Sequence, residues 1–596
     1  MSQPKVTLPD LLYGGLENHP GGIFSSTKRN GKWVDESLSD FTKNVRHFSL
    51  GLYTLGVRPG DKVSIHSENS TEWLLCDLAI LSLGAANVPI YTTQPGDQIQ
   101  YILENSDAVA HIVSDDEMFA ETKPLIKKVE SVKAVISIRG SKHKKLKPFA
   151  TVLELGEELD KKEPGLFDDL RGNVQPDDLA TLIYTSGTTG LPKGVMLTQN
   201  NIASNVLASL KTLPFEEERF RGEPVLSYLP LSHVFERMIE YMYISMGCRI
   251  YFIDEIEDIR DDFLHVKPFF FATVPRLLEK IHTGVKVKGQ EMSGIKKKLY
   301  YWAIYKTEEF DPEHPPSGLA AVSHNLADRL IYSKIRELFG GNLQGVVSGG
   351  AALSPEVFKF ANAIGLICVQ GYGLTETSPV ITVQRHPDEM RIGSSGKPLE
   401  YVEVMIADDG EILTRGPHVM KGYYKNEEQT KEVLTDDGWF KTGDIGKIDD
   451  DGFLFITDRK KSMFKLSTGK YVAPQNVEGQ ISGSGFIEQV VVIGFQRKFC
   501  SALIVPAYQN IKKRLKRDGY EPTKPYAKDE KIRKLIQQEV DKANKSLSPW
   551  ETVKKFVLLE EPLSIDSGEL TPTMKVKRPV VLEKFKEEID SMYDDE

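Results

Sequence analysis

Apolar residues recur every three to four positions over 41–55, 72–83 and 97–105. They form short unbroken runs over 61–65, 85–91, 109–113 and 134–137. The first pattern is that of helices with one buried face, and the second that of buried strands. Gly56 and Gly84 close the first two helices, as glycine commonly does. Residues 1–40 read as an entry arm with an aromatic-polar hairpin over 23–34. Further strand-like runs cover 179–184, 224–231, 247–253, 268–275, 343–347 and 367–369. The charged, turn-rich stretch 138–178 reads as a surface connection. The run 285–341 is mostly helical, broken by a Pro-rich segment over 311–316. Strands alternating with helices predict an α/β fold with a largely parallel sheet.

The pattern changes twice. Over 391–460 short strands and tight turns predict a small β subdomain. After 461 a separate unit follows, with strands over 464–466, 489–493 and 502–506 and helices over 529–546 and 579–592. The expected organisation is an N-terminal domain over 1–457, a connection over 458–461 and a C-terminal α+β domain over 462–596. A chain of 596 residues is in any case too long for one hydrophobic core.

Composition narrows the function classes. The net charge of −10 and the absence of zinc-finger spacing argue against nucleic acid as a partner. Cys76, Cys248, Cys368 and Cys500 lie far apart, which indicates neither a disulfide framework nor a zinc site and fits a reducing cytoplasm. The N-terminus lacks the charged-then-apolar order of a secretory signal. The most apolar window, 74–90, is interrupted by Asp77 and Asn87 and is short for a membrane span.

The chemistry is concentrated in TSGTTGLPKG, residues 185–194. Thr185, Ser186, Thr188 and Thr189 supply hydroxyls. Gly187 and its neighbouring glycines let the backbone approach a ligand, and Lys193 adds a point charge. Together they suit the oxygens of a polyphosphate. The loop is not a Walker A motif, because Pro192 precedes the lysine and Gly194 follows it. An isolated Gly/Ser/Thr run is otherwise a solvated turn.

This decapeptide resembles the phosphate loop of the adenylate-forming superfamily, which includes acyl-CoA synthetases, peptide-synthetase adenylation domains and luciferases. Other segments resemble that superfamily's motifs in its order. In QGYGLTETS, the resemblance makes Gln370, Gly371, Tyr372 and Gly373 an adenine platform with Tyr372 as the stacking ring. It makes Thr375 an α-phosphate contact and Glu376 the Mg²⁺ ligand, with Thr188 as a second metal contact. Gly349, Gly350 and Ala351 resemble the wall between the adenine and acyl sites. GWFKTGD offers Asp444 to the ribose hydroxyls, with Arg459 as its companion. In LPLSHVFER, His233 resembles the histidine of the acyl-adenylate pocket. Arg237 stands where some bacterial long-chain relatives carry a gate tryptophan. Lys575 resembles the catalytic lysine of the last motif, although Met574 replaces its usual glycine. Lys461 matches the hinge about which the C-terminal domain rotates between half-reactions, bringing Gly469 to the CoA tunnel.

The resemblance therefore implies an ATP- and Mg²⁺-dependent ligase joining a long-chain fatty acid to CoA. HVFER, DRKKSMFKLSTGKYVAPQNVE and LTPTMKVKRP carry the long-chain assignment. One alternative is a fatty-acyl-AMP ligase serving a carrier protein. Another is an inactive lipid-binding or scaffold protein, which would require lost catalytic positions. The segment Lys296-Lys-Lys-Leu-Tyr-Tyr-Trp-Ala-Ile-Tyr-Lys306 has two readings: a half-buried helix with a solvated face, or a peripheral contact with an anionic membrane. The sequence leaves a monomer and a homodimer open.

Overall fold

The structure is a computed structural model that describes residues 5–185, 191–253, 256–290, 292–460, 463–564, 567–570 and 576–593. Ser186, Gly187, Thr188, Thr189, Lys461 and Lys575 lie outside the described residues.

Two large sheets dominate the first 400 residues. The nine-stranded sheet has at its centre Ile367–Gly373, Gly345–Ser348, Phe270–Thr273, Pro224–Ser227 and Arg249–Phe252 as neighbours, in that order. These strands are parallel. Ile23–Arg29 extends them, and Lys32–Ser37 closes that edge antiparallel. The eight-stranded sheet is parallel across Ala86–Ile90, Lys62–His66, Ala110–Val113 and Ala134–Ser137. Its other half holds Leu179–Thr185, parallel to Ala86–Ile90, and then an antiparallel neighbour, Lys193–Thr198.

Parallel strands are covered on both faces, so their side chains are nearly all apolar. Phe269, Phe270 and Phe271 are all buried. Phe269 and Phe270 pack against Phe220, and Phe271 against Phe263. This run belongs to the core, with Phe270 and Phe271 opening the strand Phe270–Thr273.

A buried ion pair ties the layers together. Arg237, on helix Val234–Ser245, donates from Nε to Asp77 Oδ2 at 3.0 Å, and its NH2 group reaches Asp77 Oδ1. Both residues are almost fully buried. Arg237 also donates to Thr181 Oγ1 at 2.8 Å, and Tyr241 donates its hydroxyl to Asp77 at 2.6 Å. Position 237 is thus a structural clamp between helix Thr71–Ser82 and the strand Leu179–Thr185.

Two elements differ from the sequence expectation. The entry arm begins with a helix, Leu8–Asn18, capped by Thr7. The supposed surface connection contains helices Phe149–Lys162 and Leu166–Gly172. The first packs against Leu38–Thr54 so closely that a Cβ at Gly156 would overlap the His47 carbonyl oxygen. Its buried face is only Val152 and Gly156, so a helical stripe was hidden under charged residues.

The strands Glu403–Ile406, Glu411–Arg415, Phe440–Ile448 and Leu454–Arg459 form the antiparallel β unit. Beyond residue 463, Ile487–Ile493, Cys500–Pro506 and Val553–Leu558 form a three-stranded sheet. Its two hydrophobic clusters draw only on residues from Phe464 onward. All four cysteines are buried and free.

Candidate active site

The register of the nine-stranded sheet explains why distant motifs meet. Thr273 pairs with Ser348, and Ser348 with Gln370. Val274 and Gly349 therefore leave adjacent strands at the carboxyl edge, and the third strand runs on past that edge through Gly371 to Gly373. That edge is where open α/β sheets bind ligands. Ser227 ends the next strand over and leads through Tyr228 to His233.

His233 is the N-cap of helix Val234–Ser245. Its Nδ1 accepts the Phe235 N–H at 3.1 Å. In the neutral ring this leaves the proton on Nε2. The Phe235 ring lies over Gly349, where a Cβ would come within 2.9 Å of it. A glycine is needed at 349 for that approach. Gly350 and Ala351 follow and are exposed, and Gly350 has φ of +79°.

Gln370 is buried and accepts the Leu353 N–H on its side-chain oxygen at 3.2 Å. The strand Ile367–Gly373 then carries Gly371, Tyr372 and Gly373 out of the core, and a short 3₁₀ turn holds Thr375 and Glu376. The Tyr372 hydroxyl donates to Asp444 Oδ2 at 2.7 Å, and Arg459 Nε donates to Asp444 Oδ1 at 3.0 Å. Asp444 and Arg459 are cross-strand partners in the antiparallel unit. Burial and the neighbouring carboxylate both hold the Tyr372 phenol well above its ordinary pKa, so it stays a donor. Burial works against the Arg459 charge, but Asp444 outweighs it and the guanidinium pKa is raised. The tyrosine, aspartate and arginine expected around a nucleoside are thus one hydrogen-bonded group.

The phosphate loop connects two antiparallel strands, and its ends, Thr185 and Lys193, are register partners. The sequence reading placed a strand before the loop but none after it. Lys193 Nζ lies 5.1 Å from the centre of the Tyr423 ring. Tyr423 in turn donates its hydroxyl to Glu376 Oε1 at 2.9 Å. The short strand Gly422–Tyr423 pairs with Lys193–Thr198, which fixes this bridge. Burial and Glu376 both push the Tyr423 phenol pKa up. Sequence reasoning missed Tyr423, whose only signal is a paired tyrosine midway along the 391–460 stretch. Lys193 and Glu376 are 183 positions apart in sequence, yet one ring touches both.

A lysine and a carboxylate beside a hydroxyl-rich loop suit a triphosphate with its cation. Mg²⁺ keeps several waters and takes few protein carboxylates when phosphates supply the rest. Glu376 fits that role. Among the described residues, no group of three or more His, Cys, Asp or Glu side chains forms a metal cage.

Gly469 lies in the turn between Phe464–Lys465 and Tyr471–Val472, exposed, with φ of +87°. Arg578 follows the Lys575 segment. Its NH1 group donates to the Val492 carbonyl at 2.8 Å, and its NH2 group pairs with Glu478. Arg578 thereby anchors one end of that segment to the C-terminal sheet.

Known proteins resemble this chain in sequence and in fold. Residues 19–424 match the AMP-binding enzyme family, and residues 461–596 match the AMP-binding enzyme C-terminal domain. The chain is 36% identical to the long-chain-fatty-acid–CoA ligase FadD15 of Mycobacterium bovis, over 98% of this chain and 97% of that one. It is 32% identical to the peroxisomal long chain acyl-CoA synthetase 7 of Arabidopsis thaliana, over 91% of this chain and 79% of that one. Among solved structures, the adenylation domain of a carboxylate reductase from Mycobacterium chelonae superposes with a TM-score of 0.76 at 22% identity. That match covers 99% of this chain and 92% of the other.

Proposed function

The chain belongs to the AMP-binding enzyme family, and we propose that it is a long-chain-fatty-acid–CoA ligase that works through an acyl-adenylate. The observation that carries this reading is the convergence of Lys193, Tyr423 and Glu376 beside the Tyr372–Asp444–Arg459 group. One group suits a polyphosphate and the other a nucleoside. The 36% identity to a long-chain-fatty-acid–CoA ligase over nearly the whole chain supports the choice of acid and thiol.

In the first half-reaction a carboxylate oxygen attacks the α-phosphorus of ATP, and the bond to pyrophosphate breaks. Lys193 and the loop 185–190 hold the polyphosphate. Asp444 accepts from the ribose hydroxyls, oriented by Tyr372 and Arg459. His233 orients the carboxylate, with its Nε2–H as donor. Thr375 contacts the α-phosphate, and Lys575 offsets the charge that builds there. Glu376, with Thr188 as a second contact, would hold Mg²⁺, which would supply neutralisation of phosphate charge when bound. In the second half-reaction the CoA thiolate attacks the acyl carbon and AMP leaves. Rotation of the domain 462–596 about Lys461 exchanges Lys575 for the Gly469 turn between the two steps. These assignments require positioning and electrostatics but no side-chain nucleophile.

Peripheral contact with an anionic membrane is part of the proposal. Helix Gly318–Ala327 exposes Leu319, Val322 and Leu326 at 89%, 66% and 50%. Their spacing of three and four residues puts them on one face. Lys296, Lys297 and Lys298 are exposed on helix Gly294–Glu308, which buries Tyr300, Ala303 and Ile304. This helix has one buried face and a solvated basic one, and the exposed lysines support the membrane reading proposed here. An exposed apolar face and an exposed lysine cluster on two contacting helices suit an interface that also dissolves the substrate. Among the described residues, no helix is long and apolar enough to cross a membrane.

Fatty-acid-dependent exchange of labelled pyrophosphate into ATP, without CoA, tests the first half-reaction. Exchange with palmitate is expected. Exchange with acetate or benzoate but not palmitate would reject the long-chain reading.

A further inference from the structure

The HVFER run does more than present His233. Phe235 packs on Gly349, and Arg237 clamps Asp77. Glu236 is buried, and its Oε1 accepts the Ser227 hydroxyl at 2.9 Å and the Tyr228 N–H at 3.2 Å. Glu236 thereby holds the start of the loop that runs from Tyr228 to His233. The Tyr228 hydroxyl is shared with Thr273 Oγ1 at 2.7 Å, which links the loop to the next strand end. At the far end, the His233 N–H donates to the Pro230 carbonyl at 2.9 Å.

The middle of the loop is held from the other sheet. Asn69 lies between the strand Lys62–His66 and the helix Thr71–Ser82. Its Nδ2 donates to the Leu229 carbonyl at 2.6 Å, and its Oδ1 accepts the Leu231 N–H at 2.9 Å. One planar amide thus serves as donor and acceptor to backbone groups two residues apart. Few side chains carry both functions on one rigid group. Asn69 is half-buried, so it sits at the boundary between the two sheets' layers rather than deep in either core. Helix Thr71–Ser82 is anchored to helix Val234–Ser245 again through Asp77 and Arg237. The loop bearing His233 is therefore referenced to the layer that also supplies the phosphate loop.

We infer that Asn69 is a positioning residue for acyl-adenylate formation: it fixes the Tyr228–His233 loop, and with it the imidazole, relative to the phosphate-binding layer. The inference rests on the proposed function for its kinetic consequence, but not for its structural one. Asp at 69 keeps the acceptor, loses the donor, and sets a negative oxygen against the Leu229 carbonyl. Ala at 69 leaves both backbone groups to water.

The test compares wild type, Asn69→Ala and Asn69→Asp in the full-length enzyme. Acyl-adenylate formation is measured against varied palmitate and varied ATP, and hydrogen exchange is followed over residues 228–233. Asn69→Ala loses both hydrogen bonds, and Asn69→Asp loses one and sets a charge against a carbonyl, so a fall of at least about tenfold in kcat/KM for palmitate is expected in both variants. The KM for ATP stays within about twofold of wild type, and the loop amides exchange faster. Equal losses for palmitate and ATP would mean a general loosening and overturn the inference. So would unchanged exchange over 228–233. Should wild type form no acyl-adenylate, the functional reading fails by itself, and the exchange result still decides whether Asn69 holds the loop.

Discussion

At the scale of single residues, charge placement separates the groups that fit chemistry from those that serve the fold. Lys575 is proposed to act only where the carboxylate attacks phosphorus. Lys575→Ala should therefore lower acyl-adenylate formation by about 10²–10³-fold, the range for one lost electrostatic donor. Transfer of supplied palmitoyl-adenylate to CoA should change far less, as followed by acyl-CoA release. Equal losses in both steps would remove it from that role. A second prediction concerns Glu240, fully buried one helical turn beyond Glu236. Among the described residues, no group meets hydrogen-bond geometry with its side-chain oxygens, although the nearby Ser227 hydroxyl, donated to Glu236, favours its charged form slightly. Burial pushes the Glu240 pKa up to about 8, and burial and Glu240 together raise that of Glu236. A raised carboxyl pKa means that the folded state binds more protons than the unfolded chain between the ordinary carboxylate range and about pH 8. Its contribution to stability is complete below that range and is lost as pH rises through it. Glu240→Gln, which removes the ionisation, should flatten the decline in unfolding free energy between pH 5.5 and 8.5 in urea titrations. An unchanged slope would place the titration elsewhere.

At the scale of elements, the exposed stripe on helix Gly318–Ala327 joins no hydrophobic cluster among the described residues. Replacing Leu319 and Val322 by Asp should abolish flotation with phosphatidylglycerol vesicles and leave turnover of detergent-dispersed palmitate within about twofold. Each buried side chain of this size contributes about 1.5–3 kcal/mol, enough to decide reversible binding. Flotation by the double variant at the wild-type level would reject this face as the contact. Elements also show what the sequence made legible. Asp444 and Arg459 stood out through short motifs, and a single antiparallel register pairs them. The strand Leu179–Thr185 was plain because it is apolar and unbroken. Its partner Lys193–Thr198 was not, because it begins inside the glycine-rich motif and ends at the Thr198 cap of the next helix. Helix Phe149–Lys162 was hidden for the opposite reason. It packs through a small glycine-containing face, and its charged residues dominate the pattern.

At the scale of the whole molecule, the motifs fall on three sheets that meet at one site. The carboxyl edge of the nine-stranded sheet brings together Tyr228, His233, Gly349, Tyr372 and Glu376. The eight-stranded sheet supplies the phosphate loop, and the β unit supplies Asp444 and Arg459. Tyr423 and Asn69 were not legible as site residues, because each acts by spanning two elements that only the tertiary fold brings together. Gly469 and Arg578 belong to the unit beyond residue 463, as the proposed alternation between two half-reactions requires.

The most direct test of the proposed ligase is one time course with purified protein, ATP, Mg²⁺ and palmitate, with and without CoA, in which AMP and palmitoyl-CoA are quantified together. The expected result is palmitoyl-CoA formed one for one with AMP when CoA is present, and only a stoichiometric amount of bound palmitoyl-adenylate when it is omitted. Acyl-adenylate that persists unchanged in the presence of CoA would contradict the ligase reading and point to a carrier-protein acceptor. No consumption of ATP would contradict adenylation of this acid altogether.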